Sequence, residues 1–397
     1  MINRTRPRSA VGITLLIATS LALTACGTDT TGSPAPKQAG SKPGSSPQPV
    51  TNPLVTTYEG GLHILDGRSL KVVKDIPLAG FNRVNPVGDD RHVMVSTSEG
   101  FRVMDAVHQQ LTDIEFKGPK PGHVVRHAGR TVLFTDGTGE VTVFDPADLA
   151  RGKPTTTTYT SAAPHHGVAV ELKNGQLVTT LGTEEKRTGI VVLDKDRKEI
   201  TRNEECAGVH GEATAKDEAV VVGCEDGVLI YRNGVITKVK SPTAYGRIGN
   251  QSGSDQSPIV LGDFKKDKDA ELERPQQVSL INTTTGKMNL VDLGTSYTFR
   301  SLARGPHGEG LVLGTDGKIH VIDPEAGEVT RTIAVIGAWQ EPLEWQQPRP
   351  ALFVREHTAY VTDPATKKIH AVDIETGKEL ASVTLPKAPN EISGVKH

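Results

Sequence analysis

Three histidines stand 43 and 44 residues apart: His123, His166 and His210. Each opens a similar segment: Pro121-Gly122-His123-Val124-Val125, Pro164-His165-His166-Gly167-Val168 and Gly208-Val209-His210-Gly211-Glu212. One imidazole in such a place serves as packing at the mouth of a channel. Three at matched register are a donor set for a first-row metal, and zinc favours such a site because imidazole suits it. Four-coordination then leaves one position for a carboxylate, a further histidine or water. His165, Glu212 and Glu184 are the weaker candidates for it, with Glu185 beside Glu184. Asp136 and Asp226 belong on the same face, but they sit in a repeating turn and read as structural.

Residues so far apart converge only if the chain repeats at the same period. Four-stranded propeller blades repeat every ~40–45 residues. Here an apolar–x–apolar–Asp unit recurs as His63-Ile64-Leu65-Asp66, Arg102-Val103-Met104-Asp105, Thr142-Val143-Phe144-Asp145, Val191-Val192-Leu193-Asp194, His320-Val321-Ile322-Asp323 and Ala371-Val372-Asp373. Acidic–Gly dipeptides precede it at Glu59-Gly60, Glu99-Gly100, Asp136-Gly137, Asp226-Gly227 and Asp316-Gly317, a hairpin signal. The spacing predicts an all-β fold: a single β-propeller of about eight four-stranded blades, with seven as the alternative. The blades fall near 53–80, 82–117, 122–160, 165–201, 209–241, 246–293, 299–335 and 346–386. The first has only three strands, so a C-terminal strand from Glu391 to Val395 should join it and close the ring, which removes open sheet edges. A charged insertion, Asp263 to Arg274, interrupts the sixth blade and reads as mobile, because it holds too little apolar surface to order itself.

The same repeat sorts the other histidines. His63, His320 and His370 precede strand-end aspartates and read as structural. His92, His127, His307 and His357 lie by the first hairpin turn of their blades, on the face opposite His123, and read as surface residues.

Arg4, Arg6 and Arg8 precede an apolar run from Val11 to Leu23 that is short for a membrane span. It ends Leu23-Thr24-Ala25-Cys26, like a bacterial lipobox. Residues 1–25 read as a lipoprotein signal peptide. Residues 26–52 read as a lipidated Cys26 and a disordered Ser/Pro/Gly-rich tether, and 53–397 as the propeller. The expected location is extracytoplasmic, anchored to the cell membrane. Cys206 and Cys224 are then the remaining cysteines, and an oxidising compartment favours a disulfide between them over two zinc thiolates. A net charge of −2 and 4% aromatic residues argue against nucleic acid as a partner.

The chain carries no Gly-x-Ser-x-Gly elbow, phosphate loop, His-Glu-x-x-His helix or Cys-x-x-Cys. The segments 164–170 (Pro-His-His-Gly-Val-Ala-Val), 206–213 (Cys-Ala-Gly-Val-His-Gly-Glu-Ala) and 122–125 (Gly-His-Val-Val) resemble the AztD family of zinc metallochaperones. These are exported propellers that partner the zinc-binding component of an ABC importer. The resemblance implies that His123, His166 and His210 are zinc residues, and that the partner is an importer's solute-binding protein. The chain departs from the family in its lipobox and in lacking a dense His/Asp-rich stretch near the mature N-terminus. The expected function is zinc transfer by ligand exchange, not catalysis. Its rivals are a metal-dependent propeller hydrolase or lactonase and a metal-free interaction propeller.

Overall fold

The computed structural model describes residues 48–395. The signal-peptide, lipobox and Cys26 readings, most of the tether, and His397 lie outside the described residues. The rest forms eight sheets, each a blade of four antiparallel strands; the fifth gains a short extra strand, Gly246–Arg247, which pairs parallel with Asp226–Arg232. In sequence order, blades two to eight begin at their inner strands: Arg83–Pro86, Pro121–His127, Ala169–Glu171, His210–Ala215, Gln251–Ser252, Leu302–Arg304 and Leu352–Arg355. The count is eight, not seven. The sixth sheet is complete, from Gln251–Ser252 through Ile259–Asp263 and Gln277–Asn282 to Lys287–Asp292.

Ring closure follows the expected design. Strand Ile392–Gly394 pairs antiparallel with Leu54–Tyr58, with Leu54 opposite Gly394 and Thr56 opposite Ile392. Blade one thereby gains its innermost, fourth strand from the other end of the chain, which closes the ring. The Glu391 carboxylate pins this closing segment. It bridges Arg83 at 2.9 Å and Arg300 at 3.1 Å, and accepts from the Val84 amide.

Burial explains why the middle strands read as apolar. Gly61–Leu65 and Ala219–Cys224 are buried throughout, because blades pack against both faces of them. Outer strands such as Glu379–Thr384 alternate with solvent. The contacts between blades are runs of Val, Leu and Ile, as in the cluster of Val170, Val178, Val192, Val222 and Leu229. The strand-end aspartates act as the turn chemistry requires. Asp373 accepts from the Thr376 amide at 2.7 Å, and Asp323 from Ala326 at 3.0 Å.

The meander assigns loops to faces. Connections between blades, and between second and third strands, emerge on one face. Turns joining first to second and third to fourth strands emerge on the other. The charged insertion lies on the first face but is anchored, contrary to its reading as a mobile excursion. Asp263 ends a buried strand and Phe264 is 2% exposed. Lys265 pairs with Arg247 through both backbone bonds, and the Glu273 carboxylate accepts from the Lys266 and Asp267 amides. The composition argument failed because hydrogen bonds, not apolar area, tie this loop down.

Two histidines read as surface residues are not. His92 is 2% exposed, with Nδ1 2.6 Å from Asp89. His127 is half-buried against Glu218 at 3.0 Å. In each case a nearby carboxylate partners the imidazole and lets it leave solvent.

Candidate metal centre

Backbone irregularities aim the three histidines. His123 lies on the first strand of blade three, where Pro121 opposes Thr135 but Val124 opposes Leu133. The extra residue is a bulge at Gly122-His123, and bulges re-aim side chains. A second bulge follows His210, the first residue of its strand: His210 opposes Gly223 and Glu212 opposes Val222, leaving Gly211 over. Gly211 has φ +71°, which an L side chain adopts only at a cost. His166 lies in the connection entering blade four, three residues before its strand Ala169–Glu171.

These elements bring the trio to one point. One ring nitrogen from each of His123, His166 and His210 falls within 4.8 Å of the others. The ring centroids are 4.9, 5.2 and 5.5 Å apart. A tetrahedral zinc at ~2.1 Å from its nitrogens would hold ring centres ~5 Å apart, so the rings are spaced for one ion. The Nε2 atoms of His166 and His210 are 2.9 Å apart. That is about half an ångström closer than tetrahedral coordination asks, so a small opening admits the metal.

Each imidazole is also held from behind. His166 Nδ1 lies 2.5 Å from Asp136 Oδ2, and His210 Nδ1 2.5 Å from the Gly249 carbonyl oxygen. His123 Nδ1 is 3.1 Å from Glu212 Oε2. A carbonyl oxygen can only accept, so His210 Nδ1 carries the proton and its neutral Nε2 presents a lone pair. The Asp136 carboxylate imposes the same tautomer on His166, while the Glu212 carboxylate lies beside His123 Nδ1. This is the outer arrangement that orients metal-binding histidines.

The Gly249 carbonyl is itself fixed. The buried Asp263 carboxylate accepts from the Gly249 amide at 2.7 Å and the Asn250 amide at 3.0 Å. Burial pushes the Asp263 carboxyl up, while these two amides pull it down. The His210 imidazole is held well below the usual histidine value, first by burial and then by His123 and His166. It is therefore neutral at pH 7, as a ligand must be. The Cys206–Cys224 disulfide, with Cα atoms 5.0 Å apart, ties the loop entering this blade to its second strand.

The weaker candidates divide. Glu212 reaches the cluster, but against His123 Nδ1, so its place is to orient that ring. His165 turns inward and is 2% exposed. Its Nδ1 meets the Ala163 carbonyl and its Nε2 the Thr180 hydroxyl, both at 2.9 Å, leaving no nitrogen for a metal. Glu184 stands at the surface in an ion pair with Lys120 at 2.5 Å, outside the cluster.

Asp136, placed on this face in the sequence but read only as a turn residue, orients His166; the Gly249 carbonyl and Asp263 were missed. Asp136 carries a signal in hindsight, since its turn precedes the loop that delivers His166. Gly122 makes room for it: a Cβ there would lie 2.1 Å from Asp136 Oδ1. A main-chain carbonyl leaves no mark in sequence.

Fold and site together define an eight-bladed propeller with a three-histidine cluster on the face where the blades are joined. No family model matches the chain. It is 26% identical over 297 residues to the zinc chaperone AztD of Citrobacter koseri, covering 72% of this chain and 68% of the relative. The crystal structure of Citrobacter koseri AztD superposes with a TM-score of 0.74 at 21% identity, covering 86% of this chain and 96% of that one. Dihydro-heme d1 dehydrogenase NirN shares the fold at a TM-score of 0.57 and 13% identity, covering 89% of this chain and 77% of that one. The chain is thus similar to AztD in sequence over most of its length and shares its fold.

Proposed function

We propose that this protein is a zinc metallochaperone that passes its ion to the solute-binding protein of a zinc ABC importer, from an extracytoplasmic position anchored through lipid on Cys26. The observation that carries the zinc-binding part is the trio: three imidazoles from three blades, each fixed through one nitrogen and offering the other to a common point. The name of the curated relative supports zinc as the cargo and a chaperone rather than an enzyme. Three ligands leave a fourth coordination position open to water or to an incoming donor. The His166 side chain is 44% exposed. An acceptor can therefore approach from solvent and replace ligands one at a time, so the ion is never freed.

The test is metal content followed by transfer. The mature chain, purified without a His tag, should carry zinc at the trio. Mixed with the zinc-free solute-binding protein, it should give up the ion faster than to a chelator of equal affinity. Equal rates to both acceptors would reject directed delivery and leave only a zinc-binding propeller. Radiolabelled fatty acid incorporation that survives Cys26→Ser would reject the anchor.

A further inference from the structure

A second donor cluster lies on the opposite face, far from the trio in fold and in sequence. His307 occupies the turn between the first two strands of blade seven, Leu302–Arg304 and Gly310–Leu313. His357 occupies the equivalent turn of blade eight, between Leu352–Arg355 and Thr358–Asp363. Glu375 lies in the turn between the last two strands of blade eight, Lys368–Asp373 and Glu379–Thr384. One ligand atom from each falls within 4.8 Å of the others. A single carboxylate oxygen, Glu375 Oε1, is 2.8 Å from His357 Nδ1 and 3.3 Å from His307 Nε2. The two rings stand 5.6 Å apart, close to the spacing within the trio.

We propose that His307, His357 and Glu375 form a second and weaker site for a divalent first-row metal ion such as zinc. Two imidazoles and a carboxylate are a donor set for such ions. The turns that carry them are tied in place. The Glu309 carboxylate accepts from the His307 amide at 3.0 Å, and the Ile374 amide donates to the His357 carbonyl at 2.9 Å. The second bond links the His357 turn to the Glu375 turn. Arg331 reaches the Ile374 carbonyl at 2.5 Å from blade seven. Asp373 adds negative charge beside His357. Exposed ion pairs contribute little to stability, so folding alone gives small reason to gather three exposed side chains from three turns. Their exposure leaves the remaining coordination positions to water, which sets affinity below that of the trio. The proposal does not depend on the chaperone reading, because the two clusters share no residue.

The probe is zinc ion alone, titrated calorimetrically into the metal-free mature chain. The wild type should bind two equivalents, one tight and one weak. His307→Ala/His357→Ala should keep the tight equivalent and lose the weak one, with an unchanged melting temperature. Glu375→Gln should weaken the second equivalent at least tenfold. His166→Ala/His210→Ala should keep one weak equivalent, and adding His307→Ala should abolish it. Loss of the tight equivalent alone in a trio variant therefore reports on the trio and leaves this site intact. A single equivalent in the wild type up to about 1 mM zinc, or a weak equivalent that survives His307→Ala/His357→Ala, would overturn the proposal.

Discussion

His166 and His210 come from different blades, yet their Nε2 atoms stand 2.9 Å apart. Each ring donates its single proton, on Nδ1, elsewhere: to Asp136 and to the Gly249 carbonyl. Two lone pairs facing at this distance repel unless a proton or a cation lies between them. The pair therefore favours cation binding, and His123 supplies the third donor.

Replacing His166 or His210 by Ala should lower zinc affinity by orders of magnitude while leaving the melting temperature nearly unchanged, since neither ring is part of a blade core. Competition against a zinc chelator measures the first and calorimetry the second. A single-histidine variant that retains full affinity would remove the trio as the site.

Asp136→Asn should keep the side-chain volume but lose the charge behind His166. Loss of such an outer partner typically costs 10–100-fold in metal affinity. Gly122→Ala should act in the same direction, because the added methyl would displace the Asp136 carboxylate. Equal affinities for both variants and the wild type would show that Asp136 only shapes its turn.

Acid should act on both binding and stability. Burial holds His63, His165 and His210 below the ordinary histidine value. A folded value below the unfolded one means that the unfolded chain takes up protons first. The stabilising contribution of these neutral rings is thus complete above about pH 6.5 and is lost as pH falls below it. Urea midpoints of the metal-free protein should fall between about pH 6.5 and 5. Zinc affinity should fall over the same range, as protons compete for the imidazoles. A midpoint that rises in this range would contradict the buried neutral histidines.

The insertion should be divisible. Removing residues 266–273 while keeping Asp263, Phe264 and Lys265 should leave stability and zinc affinity nearly unchanged but slow transfer to the acceptor, since the loop stands on the trio's face. Asp263→Ala should instead leave the Gly249 and Asn250 amides unpaired, at about 1–3 kcal/mol, and weaken zinc binding through His210. Transfer kinetics that do not change on deletion would assign the loop no role in docking.

Reduction of Cys206–Cys224 should destabilise the propeller. The loop it closes spans 18 residues, for which chain entropy gives about 3 kcal/mol. Zinc affinity should fall as well, because the bridge steadies the loop that presents His210. Equal denaturant midpoints with and without reductant would reject the stabilising role.

Much of this architecture could be read from the chain alone. The apolar–x–apolar–Asp period marked the blades, because every blade meets the same packing demand and the same turn demand. The missing fourth strand of blade one pointed to Ile392–Gly394 at the other terminus. The 43- and 44-residue spacing placed three histidines on one face, since a period that matches the blade carries a residue to the same station each time. What the chain could not disclose is what each imidazole touches. Glu212 and His165 look equally near a ligand histidine in sequence. Yet the bulged strand brings Glu212 to His123, while the Thr180 hydroxyl draws His165 into the core. Asp136 is indistinguishable from the other acidic turns until His166 lies against it. His307, His357 and Glu375 are separated by up to 68 residues and share no motif. Only the stacking of blade eight on blade seven brings them together, because contacts between neighbouring turns depend on the twist and offset of whole sheets, which no local pattern encodes.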